Sequence, residues 1–209
     1  ISYNNYEIAE LAFKIERTEC NLLGGKQDQY AAAFGGVNFM EFYGNNKTII
    51  NPLRIKDWIL FELETSLILC FSGTSRHSSE IVKEQIAAVE IQDQNKVEAL
   101  HKVKEGAIIM KEALLNGDFN IIVDAMTKGW ENKKISAQNI SNNNINMIYD
   151  EAMNSGALAG KISGAGGGGF FMFFVPPHKR KNVATTLENL GLSISNFHIT
   201  NRGSQAWEV

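Results

Sequence analysis

Two glycine-rich segments, far apart in the chain, hold the residue types best suited to phosphate chemistry. The first, residues 24–36, places Asp28 between two pairs of glycines. The second, residues 161–169, contains the run Ser163-Gly164-Ala165-Gly166-Gly167-Gly168-Gly169 and leads into the apolar stretch 170–175. Glycine allows positive φ and close approach of a ligand, so the N–H groups of such a loop can all point at one anion. Asp28 adds a single carboxylate that can accept a proton from an attacking hydroxyl.

Each segment also has an ordinary structural interpretation. An aspartate in the first turn of a helix, as at Asp28, is favoured by the helix dipole alone. The second segment can be a tight turn between strands, for which two glycines would suffice. Five glycines in the six positions 164–169 exceed that need, and each costs conformational entropy on folding. The excess favours a phosphate loop, to which Ser163 can add a hydroxyl.

Two cationic residues can assist. A guanidinium such as that of Arg76 can hold a sugar phosphate bidentately, in a way that a lysine cannot reproduce; otherwise Arg76 is a surface residue at a helix start. Lys161 can neutralise phosphate charge or simply end a strand at the surface.

The spacing of the histidines does not predict a metal site. The chain has four of them, which are His77, His101, His178 and His198.

Composition indicates a globular protein without an unusual partner. The 209 residues carry a net charge of −3 and are 44% hydrophobic, with a pI near 5.9. This balance predicts neither nucleic-acid nor membrane binding, and the longest apolar runs are too short to span a bilayer. Cys20 and Cys70 form no CxxC motif, which favours a reduced cytoplasmic setting. The chain starts at Ile1 rather than Met, so we expect the start of a larger protein to be missing.

Periodicity predicts the elements that position these residues. A helix starts at the capping pair Asn4 and Glu7, and a short helix over 27–34 ends at Gly35-Gly36. Residues 37–43 and 47–51 predict a β-hairpin. Residues 67–71 predict a buried strand.

The remainder alternates helices and strands. Helices are predicted over 77–94, 96–115, 119–135, 142–155 and 178–190, with a stop at Gly117, a new N-cap at Asp118 and another at Ser141. Strands are predicted over 158–163, 169–175, 193–199 and 205–209. The predicted helical core positions are Ile81, Ile86, Val89, Val97, Val103, Ile108 and Ile109. A break near 62–66 predicts two domains, 1–64 and 65–209, of an α+β protein.

These residues resemble the GHMP superfamily of small-molecule kinases. Residues 161–169 are similar to its third motif, a glycine-rich loop near the nucleotide and substrate phosphates. Asp28 matches the aspartate beside the substrate hydroxyl. Residues 27–39 and the run Phe71-Ser72-Gly73-Thr74-Ser75-Arg76-His77-Ser78-Ser79 look especially like the D-glycero-D-manno-heptose 7-phosphate kinase branch.

The resemblance implies a two-domain α+β kinase with an incomplete N-terminal domain and a ferredoxin-like antiparallel sheet with helices in the C-terminal domain. Its implied activity is ATP-dependent phosphorylation of the anomeric hydroxyl of a sugar phosphate. Asp28 is implied as the base. The implied nucleotide or phosphate contacts are Ser163, Gly164, Ala165, Gly166, Gly167 and Gly168, and the implied substrate contacts are Gly25, Gln29, Arg76 and Lys161.

One departure concerns the superfamily's main phosphate loop, Pro-x-x-x-Gly-Leu-Gly-Ser-Ser, which this sequence lacks. We expect it upstream of Ile1, together with the acidic ligand of Mg²⁺, so no metal ligand is assigned here. The alternatives are a fucokinase-like or galactokinase-like activity and a non-catalytic sugar-phosphate-binding protein. A homodimer is compatible with the sequence.

Overall fold

The computed structural model describes residues 3–73 and 78–205, which pack as two compact units. The first unit combines the described residues up to Ile55 with those from His198 onward, and the second comprises Lys56–Phe197. The predicted division into domains after residue 64 stays a prediction.

The first unit is built from short helices and a hairpin. Its elements are α1 (Asn5–Phe13), which continues as a π-helix over Lys14–Glu19, α2 (Gln27–Phe34), β1 (Asn38–Phe42) and β2 (Thr48–Pro52). The predicted capping pair is confirmed: Glu7 N–H donates to Asn4 Oδ1 at 3.0 Å, and Asn4 N–H donates to Glu7 Oε2 at 2.7 Å. The hairpin is also confirmed, because β1 and β2 pair antiparallel.

The segment from His198 packs against the end of α2. Gly36 N–H donates to Thr200 O at 2.6 Å, and Ser204 N–H donates to Ala32 O at 2.9 Å. Gly35 has φ +65°, and a Cβ there would lie 2.6 Å from the carbonyl oxygen of Arg202. Glycine is therefore required at Gly35 both by its φ and by the close approach of the returning chain.

The second unit contains a four-stranded antiparallel sheet among the described residues. Its elements are α3 (Asp57–Ser66), β3 (Leu67–Phe71), α4 (Ser78–Glu90), α5 (Gln94–Asn116), α6 (Phe119–Ser136), α7 (Asn143–Ser155), β4 (Ala159–Ile162), β5 (Phe170–Phe174), α8 (Arg180–Asn189) and β6 (Ser193–Ser195). The strand order β4-β5-β3-β6 is the split βαββαβ arrangement of ferredoxin-like folds. The predicted α+β class and ferredoxin-like sheet are thus confirmed.

The core of this unit lies between the sheet and the helices α6, α7 and α8. Its largest fully buried side chains include Trp130, Ile148, Phe171, Phe173 and Leu187. Phe171 and Phe173 come from β5 and face the same side, because side chains two apart on a strand do so. This packing fixes β4 and β5, and hence the ends of the glycine loop that joins them.

Several helix boundaries were predicted to within a few residues, and the stop at Gly117 is confirmed. Gly117 adopts φ +70°, and the Asp118 carboxylate accepts the Ile121 N–H at 3.1 Å. The prediction of Ser141 as an N-cap is wrong. Asn142 caps α7 by accepting the Ile145 N–H at 3.0 Å, whereas Ser141 Oγ donates to Asn146 Oδ1.

The core predictions for α4 and α5 are partly wrong. Ile81 is buried as predicted, but Ile86, Val89, Ile108 and Ile109 are about half exposed. Besides Ile81, the buried positions of these two helices are alanines, namely Ala88 on α4 and Ala99 and Ala113 on α5. Small side chains let helices approach closely, so the inward face carries alanine while larger apolar residues lie outside.

The predicted strand over 193–199 is shorter than expected. Only Ser193–Ser195 pairs with β3, because the chain from His198 belongs to the first unit. Of the strand predicted over 205–209, Gln205 is not in a strand and the rest lies outside the described residues.

Helix α3 was not predicted, and it occupies the region where a break was expected. Its buried residues Ile59, Leu63 and Ser66 have helical spacing, but the exposed Trp58 and Phe61 obscure that period in the sequence. Within the described part of the chain, no helix combines the length and apolar character needed to cross a membrane.

Candidate functional site

The glycine loop closes the hairpin between β4 and β5. Ser163 N–H donates to Phe170 O at 2.8 Å, which extends the hairpin by one pair. Every glycine of the loop has positive φ, with +75° at Gly164, +112° at Gly166, +76° at Gly167, +156° at Gly168 and +98° at Gly169. The expectation that two glycines would suffice for this turn is wrong, since this backbone path disfavours an L side chain at all five positions.

Two of the loop amides are already used within the protein. Gly167 N–H donates to Ile140 O at 2.8 Å, and Gly169 N–H donates to Ser72 Oγ at 3.0 Å. The expectation that all the loop amides can point at one anion is therefore wrong. The amides of Gly164, Ala165, Gly166 and Gly168 donate to no described residue, so four N–H groups stay available to a ligand.

Gly166 is more tightly packed than Gly164 and Gly169, which have open space beside their Cα atoms. A Cβ there would lie 2.9 Å from Cγ2 of Ile140 and 3.2 Å from its Cα and carbonyl oxygen. Ile140 is fully buried at the end of the 3₁₀ turn Gln138–Ile140 that follows α6. The middle of the loop is thus seated on a rigid part of the core.

Lys133 contacts the start of the loop from α6, a contact that the sequence motifs do not predict. Its Nζ donates to the Gly164 carbonyl. Burial, reinforced by the charge of Lys161, lowers the pKa of Lys133 to about 8. A signal existed: Lys133 follows the buried positions Ile122, Met126 and Trp130 at helical spacing, so a lysine stands where the pattern predicts an apolar residue.

Lys161 lies on β4, opposite Met172 of β5. Burial lowers the pKa of its ammonium group. Lys161 stands three residues before Gly164, whose carbonyl oxygen accepts a hydrogen bond from Lys133, so both lysines lie at the start of the glycine loop. The charge of Lys161 also helps to lower the pKa of Lys133. Ser163 is exposed, and its side chain makes no hydrogen bond with a described residue.

Asp28 lies in the first turn of α2, in the first unit. Helix α2 spans Gln27–Phe34 as predicted and ends at Gly35. The Asp28 side chain is exposed and forms no hydrogen bond or ion pair with the residues that the structure describes. Its carboxylate is therefore free to accept a proton or a hydrogen bond from a ligand.

Gln29, predicted to contact substrate, is buried, with an exposed fraction of only 6%. Its Nε2 donates to Glu16 Oε2 of the π-helix, while its Oε1 is buried with no hydrogen-bond partner among the described residues. The side chain therefore ties α2 to the π-helix and leaves one acceptor unused.

Arg17 contacts the loop that leads to Asp28, and the sequence motifs do not predict this contact either. Its Nε donates to Gly25 O at 3.3 Å, and its Nη1 donates to Leu22 O and Leu23 O at 3.4 Å. A Cβ on Gly24 would lie 2.6 Å from Nη1 of Arg17, so a side chain there would displace the guanidinium from its present position. Gly25 is exposed, with its carbonyl fixed by the guanidinium.

Arg76 lies outside the described residues. The strand before it is described, and it ends at Phe71. Ser72 N–H donates to Gly169 O at 2.8 Å, so the chain leaves β3 beside the end of the glycine loop. Among residues 3–73 and 78–205, no group of three His, Cys, Asp or Glu side chains could hold a metal ion.

Comparison with known proteins connects this loop to a family. Residues 110–191, which include α6, Lys133, Lys161 and the glycine loop, match the family described as GHMP kinases C terminal. The chain contains a GHMP kinase C-terminal domain. The GHMP resemblance seen in the sequence is thereby confirmed.

Two of the similar proteins are heptose phosphate kinases. A D-glycero-alpha-D-manno-heptose 7-phosphate kinase of Campylobacter jejuni is 44% identical over 204 residues, which are 98% of this chain and 60% of that protein. A crystal structure of a D-glycero-D-manno-heptose 1-phosphate kinase from Bacteroides thetaiotaomicron has a TM-score of 0.77 and 39% identity, covering 100% of this chain and 57% of that chain.

A more distant match is a bifunctional fucokinase/GDP-fucose pyrophosphorylase of Arabidopsis thaliana, 25% identical over 129 residues, which are 61% of this chain and 12% of that protein. The chain spans about three fifths of the length of the heptose phosphate kinases that it matches.

Proposed function

We propose that this chain is part of an ATP-dependent kinase that phosphorylates the anomeric hydroxyl of D-glycero-D-manno-heptose 7-phosphate. The observation that carries the proposal is the 44% identity to a heptose 7-phosphate kinase across 98% of the chain. The 204 aligned residues extend over both compact units, so the alignment spans Asp28 as well as the glycine loop.

In the proposed reaction, the anomeric oxygen attacks the γ-phosphorus of ATP, and the bond from that phosphorus to the oxygen of ADP breaks. The hydroxyl proton passes to the carboxylate of Asp28. The exposed, unpaired state of this side chain among the described residues supports the role. Arg17, through its hydrogen bonds to the preceding loop, is the residue expected to position it.

The glycine loop is proposed to bind phosphate through its unused amides. The amides of Gly164, Ala165, Gly166 and Gly168 are the candidates, because those of Gly167 and Gly169 already have acceptors. Lys161 and Arg76 are proposed to neutralise substrate charge. Mg²⁺ would offset the charge of the transferred phosphoryl group, but the described residues form no cluster to hold it, so none is assigned.

The test compares this chain with a version extended upstream, using phosphorus NMR of the product. The extended protein is expected to convert heptose 7-phosphate and ATP to a sugar 1,7-bisphosphate. Replacement Asp28→Asn is expected to slow turnover by about 10²-fold or more, because a general base contributes about that factor. Failure of the extended wild type to transfer phosphate, with sugar phosphate still bound, would instead support a non-catalytic binding protein.

A second candidate function is phosphorylation of an unphosphorylated sugar, which the 25% identity to a fucokinase favours. Fucose and galactose are therefore assayed beside the heptose phosphate, and a higher kcat/KM for either would replace the first proposal. We also propose a cytoplasmic location, supported by the two free thiols Cys20 and Cys70. Homodimerisation and the lack of nucleic-acid and membrane partners stay predictions.

A further inference from the structure

We propose that Lys133 and Lys161 together form a site for one phosphate dianion beside Gly164. The inference deepens the proposed function and rests on it in one respect: the phosphate is expected to belong to the nucleotide or to the sugar phosphate. Of these two lysines, the sequence predicts a phosphate contact for Lys161 only. The structure adds Lys133, from a helix that is remote in sequence from the loop.

The position of Lys133 is unusual for a lysine. It lies on α6, one turn after the fully buried Trp130, and it is half-buried there. Burying an ammonium group costs free energy unless an opposite charge or a set of acceptors compensates. The Gly164 carbonyl is the acceptor that Lys133 reaches, and one neutral acceptor compensates only part of that cost.

The positive charge of Lys161 adds to the free-energy cost of charging Lys133. Lys161 is itself desolvated on β4. Neither ammonium group forms an ion pair with a carboxylate in the parts of the chain that the structure describes. Two neighbouring cations without a counter-ion make a place where an anion of charge near −2 would be stabilised.

The hydrogen-bond donors needed for a phosphate are also present. An ammonium group has three donors, and Lys133 uses one of them on Gly164 O. The Lys161 side chain donates to no described residue. The amides of Gly164 and Ala165 lie directly beyond the carbonyl that Lys133 binds and are also unused.

A purely structural role does not account for the pair. If Lys133 only held the loop, an uncharged donor such as glutamine would bond Gly164 O without the cost of a buried charge. Helix α6 ends at Ser136, and its dipole favours a cation in the last turn by only about 0.3–1 kcal/mol. An arriving phosphate, in contrast, would compensate both charges at once.

The test is calorimetric titration of the full 209-residue chain with inorganic phosphate at pH 7. Lys133→Met and Lys133→Gln each remove the charge, and the glutamine can keep a hydrogen bond to Gly164 O. Both variants, and Lys161→Met, are expected to weaken phosphate binding at least tenfold. The matched control is Lys128→Met, which removes the same charge from an exposed position of α6 and is expected to leave binding unchanged.

Two further arms identify the source of the phosphate. The same proteins are titrated with ADP and with mannose 6-phosphate, and the ligand weakened at least tenfold by Lys133→Gln is the one whose phosphate occupies the site. Wild-type affinity for all three probes in folded Lys133→Gln overturns the inference, as does a wild type that binds none of them. Loss of phosphate binding in Lys133→Gln, with no phosphoryl transfer by the extended wild type, keeps the site and rejects the kinase.

Discussion

Ser72 and Gly169 form a reciprocal pair of hydrogen bonds between the end of β3 and the end of the glycine loop. Gly169 N–H donates to Ser72 Oγ at 3.0 Å, and Ser72 N–H donates to Gly169 O at 2.8 Å. Ser72 is buried. The pair fixes the C-terminal end of the loop to the end of β3.

Replacement Ser72→Ala is expected to lower the free energy of unfolding by about 1–3 kcal/mol, because it leaves the Gly169 N–H without its acceptor. Urea denaturation measures the change. Ser163→Ala, at the other end of the loop, removes an exposed hydroxyl without a described partner and is expected to cost under about 0.5 kcal/mol. Equal losses for the two variants would show that the Ser72 bond is not an anchor.

Two glycines of the loop are expected to differ in their tolerance of alanine. Gly164→Ala meets open space at φ +75°, so it should cost only the positive-φ penalty of about 1–2 kcal/mol. Gly166→Ala has positive φ and also brings a Cβ within 2.9 Å of Ile140, so its loss should be clearly larger. Thermal unfolding compares the two, and a smaller loss for Gly166→Ala would contradict the packing described for Ile140.

The stability of the protein is expected to depend on pH through Lys133. Its pKa is about 8 in the folded protein against an ordinary 10.5, so below pH 8 the folded state carries the full cost of this half-buried charge. Between pH 8 and 10.5 only the unfolded chain retains this proton, and the free energy of unfolding rises with pH. The full cost corresponds to about 3 kcal/mol.

Lys133→Met removes this cost. It is expected to raise the free energy of unfolding by up to about 3 kcal/mol at pH 7 and by less than about 1 kcal/mol at pH 10. Urea denaturation at both pH values measures the difference, with Lys128→Met on the exposed side of α6 as the control. A gain that is the same at pH 7 and pH 10 would mean that the charge of Lys133 is not the cause.

Arg17 is expected to restrain the loop before Asp28. Arg17 donates from two separate nitrogen atoms, Nε and Nη1, and the single nitrogen of a lysine cannot reproduce this geometry. Arg17→Lys should therefore speed amide exchange of residues 22–28 by about tenfold, which corresponds to about 1.4 kcal/mol. Arg180→Lys is the control, since Arg180 donates to Thr65 O and Leu67 O in the other unit. Unchanged exchange in residues 22–28 of Arg17→Lys would reject the restraint.

Local sequence patterns predict much of the fold. The helix α2, the hairpin β1–β2 and the stop at Gly117 each follow from glycine position, capping residues or alternation within a few residues. Helix α3 was not readable, because Trp58 and Phe61 are apolar yet exposed. The inward faces of α4 and α5 were misassigned because close helix packing selects alanine over isoleucine, and pairing of helices is not a local property.

The sequence predicts the motifs of the candidate site but not the residues that hold the glycine loop in place. The glycines and Lys161 stand together in the sequence, so the motif reveals them. Lys133, Ile140 and Ser72 each contact the loop from segments remote in sequence, and only the folded chain brings them there. The number of loop amides that stay free for a ligand also depends on these contacts. The sequence alone therefore predicts too many free amides.

The return of the chain from His198 to the first unit bears on the order of folding during synthesis. Hydrogen bonds to Thr200 and from Ser204 complete the end of α2, so that part of the molecule must wait until residue 204 has left the ribosome. Residues 56–197 have their own core and can fold earlier, since domains generally fold as they emerge. The unit that contains Asp28 is therefore expected to mature last, although most of its residues are made first.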